Sequence, residues 1–387
     1  MAKHLVTATA AAVLMMAAGG ALSGGAWAAT ATTSDFGTRT DGGKVTSITL
    51  KNEHGLTARI LTQGAMWQSM MVPDRKGHMA DVILGYDGLA DYEAHNFYSG
   101  DTVGRYANRI KEGKFSIDGK PYQLATNNPP NSLHGGPAGF WSRNWTIGHV
   151  DAGGKGKAAS VTLKYVSPDG EENYPGTMTV LVTYSLNDNN DLSISYKATT
   201  DKPTIVNLTN HALFNLAGVG SGRSALDASV KLEADTYLPT TENAIPTGVM
   251  KPVKGSPFDF TKPTVINSVV RDARDPQILI GLGIDHNFDI RGGLTAKPKL
   301  AVTAVDEQSG RGMTISTTEP GIQFYTGNFL DGKIPGKGQQ VMRMGDGVAF
   351  EAQHYPDSPN EPSFPSTRLD PGQTYTQVTV HHFYTTK

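Results

Sequence analysis

The chain has 387 residues, a formal net charge of -2, no cysteine, 44 glycines and 22 prolines. A near-neutral balance without a Lys/Arg-rich block lacks the electrostatic footprint of a nucleic-acid binder, and the missing cysteines exclude disulfides, thiol catalysis and thiolate metal sites. The length permits a large core and one to three domains, and the Gly/Pro content favours many short strands joined by turns.

In chain order, the first element is a leader. Lys3 and His4 precede an apolar run from Leu5 to Leu22, and Ala26-Trp27-Ala28 is a small-x-small cleavage pattern. Gly19, Gly20, Ser23, Gly24 and Gly25 interrupt the apolar stretch, which argues for a secretory signal peptide over residues 1–28 and against a membrane anchor. The expectation is therefore export, best suited to a bacterial periplasm. Residues 29–40 read as a flexible mature N-terminus, with Ala29 to Ser34 small, polar and disordered. Residues 41–387 read as one domain. No second hydrophobic span follows, so a soluble mature chain with no membrane span is expected.

Alternating β-type segments then recur to the C-terminus: Val45 to Leu50, Leu56 to Leu61, Met66 to Val72 and Val82 to Tyr86. Phe115 to Ile117 and Tyr122 to Leu124 flank Asp118-Gly119, a strong hairpin signal. Val161 to Val166, Thr179 to Leu186 and Leu192 to Ala198 continue the pattern, the last two separated by an Asn/Asp turn at 187–191. Later strands are expected at Leu300 to Val305, Met313 to Thr318, Gln323 to Thr326, Val348 to Gln353 and Thr374 to Phe383. Short helices are expected only near Leu89 to Ala94 and Val265 to Asp272. Without a fixed-period repeat or a composition shift, the chain reads as all-β, a large single-domain β-sandwich with a few short helices.

Several segments set polar, titratable residues among apolar and Gly/Pro neighbours. They are Gly104 to Ile110, Asn131 to Gly136, Asn207 to Leu216, Ile284 to Phe288, Gly321 to Asn328, and Phe350 to Asp357. Read as a strand, Asn207 to Leu216 turns Asn207, Thr209 and His211 to one face and Val206 and Leu208 to the other. Such a face suits a hydroxyl-rich ligand and adds a group that titrates near neutrality. Taken singly, each residue also has a plain structural explanation. No zinc helix, nucleophile elbow or dinucleotide loop occurs, and the histidines show no metal-ligand spacing.

Taken together and in order, these segments resemble the aldose 1-epimerase (galactose mutarotase) family. Ser167 to Gly176, Glu233 to Pro239 and Pro320 to Asp331 add to the match, which covers nearly all the chain after about residue 40. The resemblance implies the galactose mutarotase-like supersandwich and interconversion of the anomers of free aldohexoses. It implies His211 as general acid and Glu351 as general base, with Asn108, Arg109, His134, Asp285 and Gln323 on the sugar. Phe324 and Tyr325 are candidates for the pocket wall. The chemistry needs no redox change or covalent intermediate, so no cofactor and no metal are expected. The partner is a small-molecule aldose, the chain a monomer or homodimer. The runner-up is a non-catalytic carbohydrate-binding β-sandwich. A sugar phosphate held by Arg105, and a glycosidase using Glu351 with Asp285, are weaker alternatives.

Overall fold

A computed structural model describes residues 28–95 and 97–387. The leader reading, residues 1–28, lies outside that range except for Ala28. Among the described residues the molecule is built on three large sheets, with five two-stranded ribbons beside them. A five-stranded sheet runs in sequence order from Thr30–Thr38 to Met79–Asp81. A nine-stranded antiparallel sheet spans Thr146–Asp151 at one edge to Thr264–Val265 at the other, with Tyr375–Thr385 at its centre. A six-stranded sheet has the order Leu213–Phe214, Val348–Gln353, Gly321–Tyr325, Asp285–Ile290, Ala234–Leu238, Lys251–Pro252.

The six-stranded sheet positions the site, through its register. Asn287, Gln323 and Glu351 lie opposite one another on adjacent strands, as do Asp285, Tyr325 and Ala349 in the next row but one. Because side chains alternate, this polar row faces one way. Phe288, Ile322, Phe324, Phe350 and Ala352 face the other way and are buried in the main core. Phe324 and Phe350 stack with centroids 4.8 Å apart. Burial of each such ring stabilises the fold by about 2 kcal/mol. Trp67 joins the layers: it meets Phe214 of the six-stranded sheet and His381 and Phe383 of the nine-stranded sheet edge-on.

Most expected strands are present with ends shifted by one or two residues, and the Asp118-Gly119 hairpin joins Lys114–Ile117 to Lys120–Gln123. Several segments differ. Thr30–Thr38, placed in the expected flexible N-terminus, is a strand paired along its length with Lys44–Lys51. It is mostly solvent-facing, so it carries no hydrophobic signature; an open neighbouring edge supplies its backbone partners. Val82 to Tyr86 is not a regular strand. Its Ile83 and Gly85 carbonyls turn instead to the side chain and the amide of Lys337. The helix at Leu89–Ala94 forms, but Val265 to Asp272 holds only a 3₁₀ turn, Ile266–Ser268. The second α-helix is Pro276–Gly281, started by Pro276 and by the Asp275 side chain capping the Gln277 amide. Finally, Asn207 to Leu216 is not one strand. Thr209–Asn210 pairs with Thr102–Val103, and Leu213–Phe214 pairs with Val348–Gln353. No helix among the described residues is long and apolar enough to cross a membrane.

Candidate active site

The break in the Asn207 to Leu216 segment decides which side chains reach the ligand. Asn207 is fully buried and ties three segments together: its amide donates to the Ala107 and His354 carbonyls and its oxygen accepts from the His354 amide. Thr209 borders a small interior gap beside Tyr196 and His381. Only His211 turns into the cleft. Its backbone amide donates to the Asp101 carbonyl and the Gly100 amide donates to its carbonyl, which fixes the bend. The expected common face of Asn207, Thr209 and His211 is therefore absent, because the chain changes sheet partners between Asn210 and Leu213.

The cleft has a volume of about 220 Å³ and is lined by Arg109, His134, His211, Asp285 and Glu351 together with Phe97, Tyr98, Leu133, Leu213, Tyr325, Phe329 and Leu330. His211 Nε2 lies 3.5 Å from Glu351 Oε1, with both side chains buried. Burial pushes His211 down to about 4 and holds Glu351 well above the usual carboxylate range; the charge of Asp285 raises both, and Arg109 lowers Glu351. Within the pair the carboxyl therefore holds a proton more firmly than the imidazole does.

The other expected residues surround this pair. Arg109 Nη1 is 3.9 Å from Asp285 Oδ2, and its Nε donates to Asn128 Oδ1 at 3.0 Å. Gln323 Nε2 donates to Asp285 Oδ1 at 2.7 Å. Gln323 thus stands behind the lining and sets the carboxylate of Asp285. Asn108, at a positive φ of 65°, also stands behind it. Its backbone amide donates to His134 Nδ1 at 3.2 Å, while the His134 backbone amide donates to the Asn108 backbone carbonyl. Gly135 packs this loop tightly: at φ +82°, a Cβ there would lie 1.9 Å from the Gly104 carbonyl oxygen.

The Asn108 bond settles the tautomer of His134. Burial, with His211 and Arg109 nearby, keeps that ring neutral. A neutral ring that accepts at Nδ1 carries its proton on Nε2, so it presents a donor to the cleft. Among the described residues, His134, His211 and Glu351 are the group close enough to share an ion. A metal on His134 Nε2 would force a proton onto Nδ1, against the Asn108 amide, whereas metal-bound histidines give that proton to an acceptor. The donor set does not fit a metal.

Of the two aromatic candidates, Tyr325 lines the cleft and Phe324 lies in the core, as strand alternation requires. Phe97 and Tyr98 lie outside the singled-out segments, and Leu133, Phe329 and Leu330 lie inside them as apolar residues that alternation alone does not mark as lining. Tyr98 sits 4.7 Å from His134 and 5.9 Å from His211, ring to ring, brought there by the loop after the first helix. Arg105 is 2 % exposed and its guanidinium is used by Ser167 and the Pro168 and Pro175 carbonyls, so it is closed to a sugar phosphate.

The family model described as aldose 1-epimerase matches residues 46–382. Galactose mutarotase of Mus musculus is 42 % identical over 342 residues, covering 88 % of this chain and 95 % of the relative. Aldose 1-epimerase of Escherichia coli is 36 % identical, covering 89 % and 96 %. An aldose epimerase homologue from C. elegans superposes with a TM-score of 0.78 at 31 % identity, over 86 % of this chain and 97 % of that one. The expected location in a bacterial periplasm is overturned: relatives 42 % identical over most of the chain are galactose mutarotases from mammals, whose cells have no periplasm. Fold, matched length and identity agree, and the chain belongs to the aldose 1-epimerase family.

Proposed function

We propose that this chain interconverts the α and β anomers of free aldohexoses such as galactose and glucose, with Glu351 as base and His211 as acid. A pyranose opens when a proton leaves the C1 hydroxyl and another reaches the ring oxygen. Glu351 as carboxylate takes the first, and His211 as imidazolium gives the second. The sugar becomes an open-chain aldehyde, the C1–C2 bond rotates, and the same two groups return their protons to close the other anomer. The proton count balances: one proton enters the pair at Glu351 as one leaves it at His211.

The observation that carries this reading is the buried His211–Glu351 contact of 3.5 Å at the floor of a sugar-sized cleft. The electrostatics suit the path. In the open-chain state Glu351 is an acid and His211 is neutral, the arrangement that burial favours. Arg109 stabilises the Glu351 carboxylate and Asp285 the His211 imidazolium, so both charges needed for ring opening remain accessible. The His134 Nε2 proton and the Arg109 guanidinium donate to sugar hydroxyls, and Asp285 accepts from them, which keeps the aldehyde bound during rotation.

Polarimetry on freshly dissolved α-D-galactose and α-D-glucose tests the activity, which predicts faster approach to the equilibrium rotation. Glu351→Gln and His211→Asn each lose about 10²- to 10⁴-fold in kcat while retaining measurable sugar affinity. A non-catalytic sugar binder would leave the mutarotation rate unchanged in the native chain, and full activity in either variant would refute its assigned role.

A further inference from the structure

A hairpin arm over residues 327–347 flanks the cleft. Its strands, Asp331–Pro335 and Val341–Arg343, pair only with each other. The neck is tight: a Cβ on Gly327 would lie 2.4 Å from the Gly347 carbonyl oxygen. Next to the neck, Phe329 and Leu330 form part of the cleft wall. The Phe329 amide donates to the Tyr325 hydroxyl at 2.9 Å, and its ring lies nearly parallel to that of Tyr325 while remaining 61 % exposed. Leu330 and Ile334 pack on the cluster that contains Leu84, Tyr86, Leu213 and Tyr325.

The far turn of the arm is plugged into the body of the protein. The Lys337 ammonium donates to Asp81 Oδ2 at 2.7 Å, to the Ile83 carbonyl at 2.8 Å and to the Gln68 carbonyl at 2.5 Å. Its backbone amide donates to the Gly85 carbonyl. Three acceptors match the three donors of an ammonium group, and the side chain is 10 % exposed. Beside this plug, a cavity of about 250 Å³ lined by Leu84, Val219, Gln340 and Met342 borders the other flank of the arm.

We propose that Lys337 is a positioning residue for sugar binding: it latches the 327–347 arm so that Phe329 and Leu330 close one wall of the cleft. This rests on the cleft being the sugar site. Lys337 does not line the cleft and acts only through the arm. Without the latch the arm pivots at Gly327 and Gly345, both at positive φ, into the adjoining cavity. The wall then opens, while His211 and Glu351, held by other segments, keep their geometry.

The test is a double-mutant cycle on Lys337→Met and Phe329→Ala, read by mutarotation kinetics and by calorimetric titration of D-galactose. Asp81 keeps its bonds from the Met70 and Ile83 amides in the first variant, so the body fold survives. Each single variant raises KM and the galactose Kd by about five- to tenfold. In both, kcat stays within about twofold, and the double variant is no more than about twofold worse than Phe329→Ala alone, because the latch then has only Leu330 left to position. Asp87→Ala, which frees the Gly338 amide at the exposed side of the same turn, raises Kd in the same direction. Additive effects in the cycle, or an unchanged Kd in both Lys337→Met and Asp87→Ala, would overturn the proposal. A native protein that binds galactose without accelerating mutarotation would instead refute the catalytic reading, and the Kd cycle would still decide the latch.

Discussion

At the scale of single residues, chemistry follows from where two ionisable groups are buried. Imidazole and carboxyl groups in water differ by about two pKa units, with the imidazole as the stronger base. In the cleft burial reverses the order, since each group resists the charge it would carry. The carboxyl then holds the pair's proton more firmly than the imidazole does, and the two titrate as a unit. A kcat/KM profile with an acid limb and an alkaline limb follows. Its acid limb lies near pH 4, where His211 gains a second proton for the pair and no base remains. On the alkaline side activity falls once the pair loses its proton and no acid remains. Measured kcat/KM from pH 3.5 to 9 checks this; an acid limb near pH 6.5, the ordinary histidine value, would show that His211 is not held neutral. His211 and Glu351 could be singled out from the sequence as polar groups in apolar segments. Their inverted order could not, because the residues that exclude water from them are spread over the whole chain.

At the scale of elements, short strands and strained turns do the positioning. His134 faces the cleft because the Gly135 turn lets the loop press against Gly104, and because the Asn108 amide holds its ring. Alanine at position 135 would meet both a positive φ and a carbonyl oxygen. Gly135→Ala is expected to cost more than about 2 kcal/mol in stability and to lower kcat/KM at least tenfold. Chemical denaturation with mutarotation assays measures both, and an unaffected variant would mean that the loop has slack. Regular strands such as Thr179 to Leu186 were legible because their alternation is complete over many residues. The Asn207 to Leu216 segment alternates too, yet it bends at His211, since two different sheets bind its two ends. Thr30–Thr38 shows the reverse case: a strand without a hydrophobic face, created by a neighbour's free edge.

At the scale of the whole molecule, the interior is dense enough to hold histidines neutral outside the cleft lining as well. His286 accepts from the Asp285 amide at Nδ1 and pairs through Nε2 with Gln277 Oε1. His381 is packed against Trp67 and Phe214. Burial lowers His286 to about 4 and His381 to about 3. As pH falls below 6.5 the unfolded chain takes up protons on these rings that the folded chain refuses, so each destabilises the fold progressively until the folded value is reached. His381→Gln removes that proton linkage. Relative to the native chain, the variant should therefore gain stability on going from pH 7 to pH 4.5, by urea denaturation at both values. A difference independent of pH would show that His381 is not buried neutral.

The sequence by itself determined the strand-rich architecture, because side-chain alternation and turn residues are local properties. It also determined the family and the set of polar residues around which a site could form, because the motifs recur in order along the chain. The tertiary structure alone decided which of those residues meet. Cross-strand register aligned Gln323 with Glu351, a change of sheet partner turned His211 away from Asn207, and the Asn108 amide chose the His134 tautomer. It also brought Lys337 to Asp81 across 256 residues. Such contacts depend on how separate strands and loops pack, and no window of the sequence contains both partners.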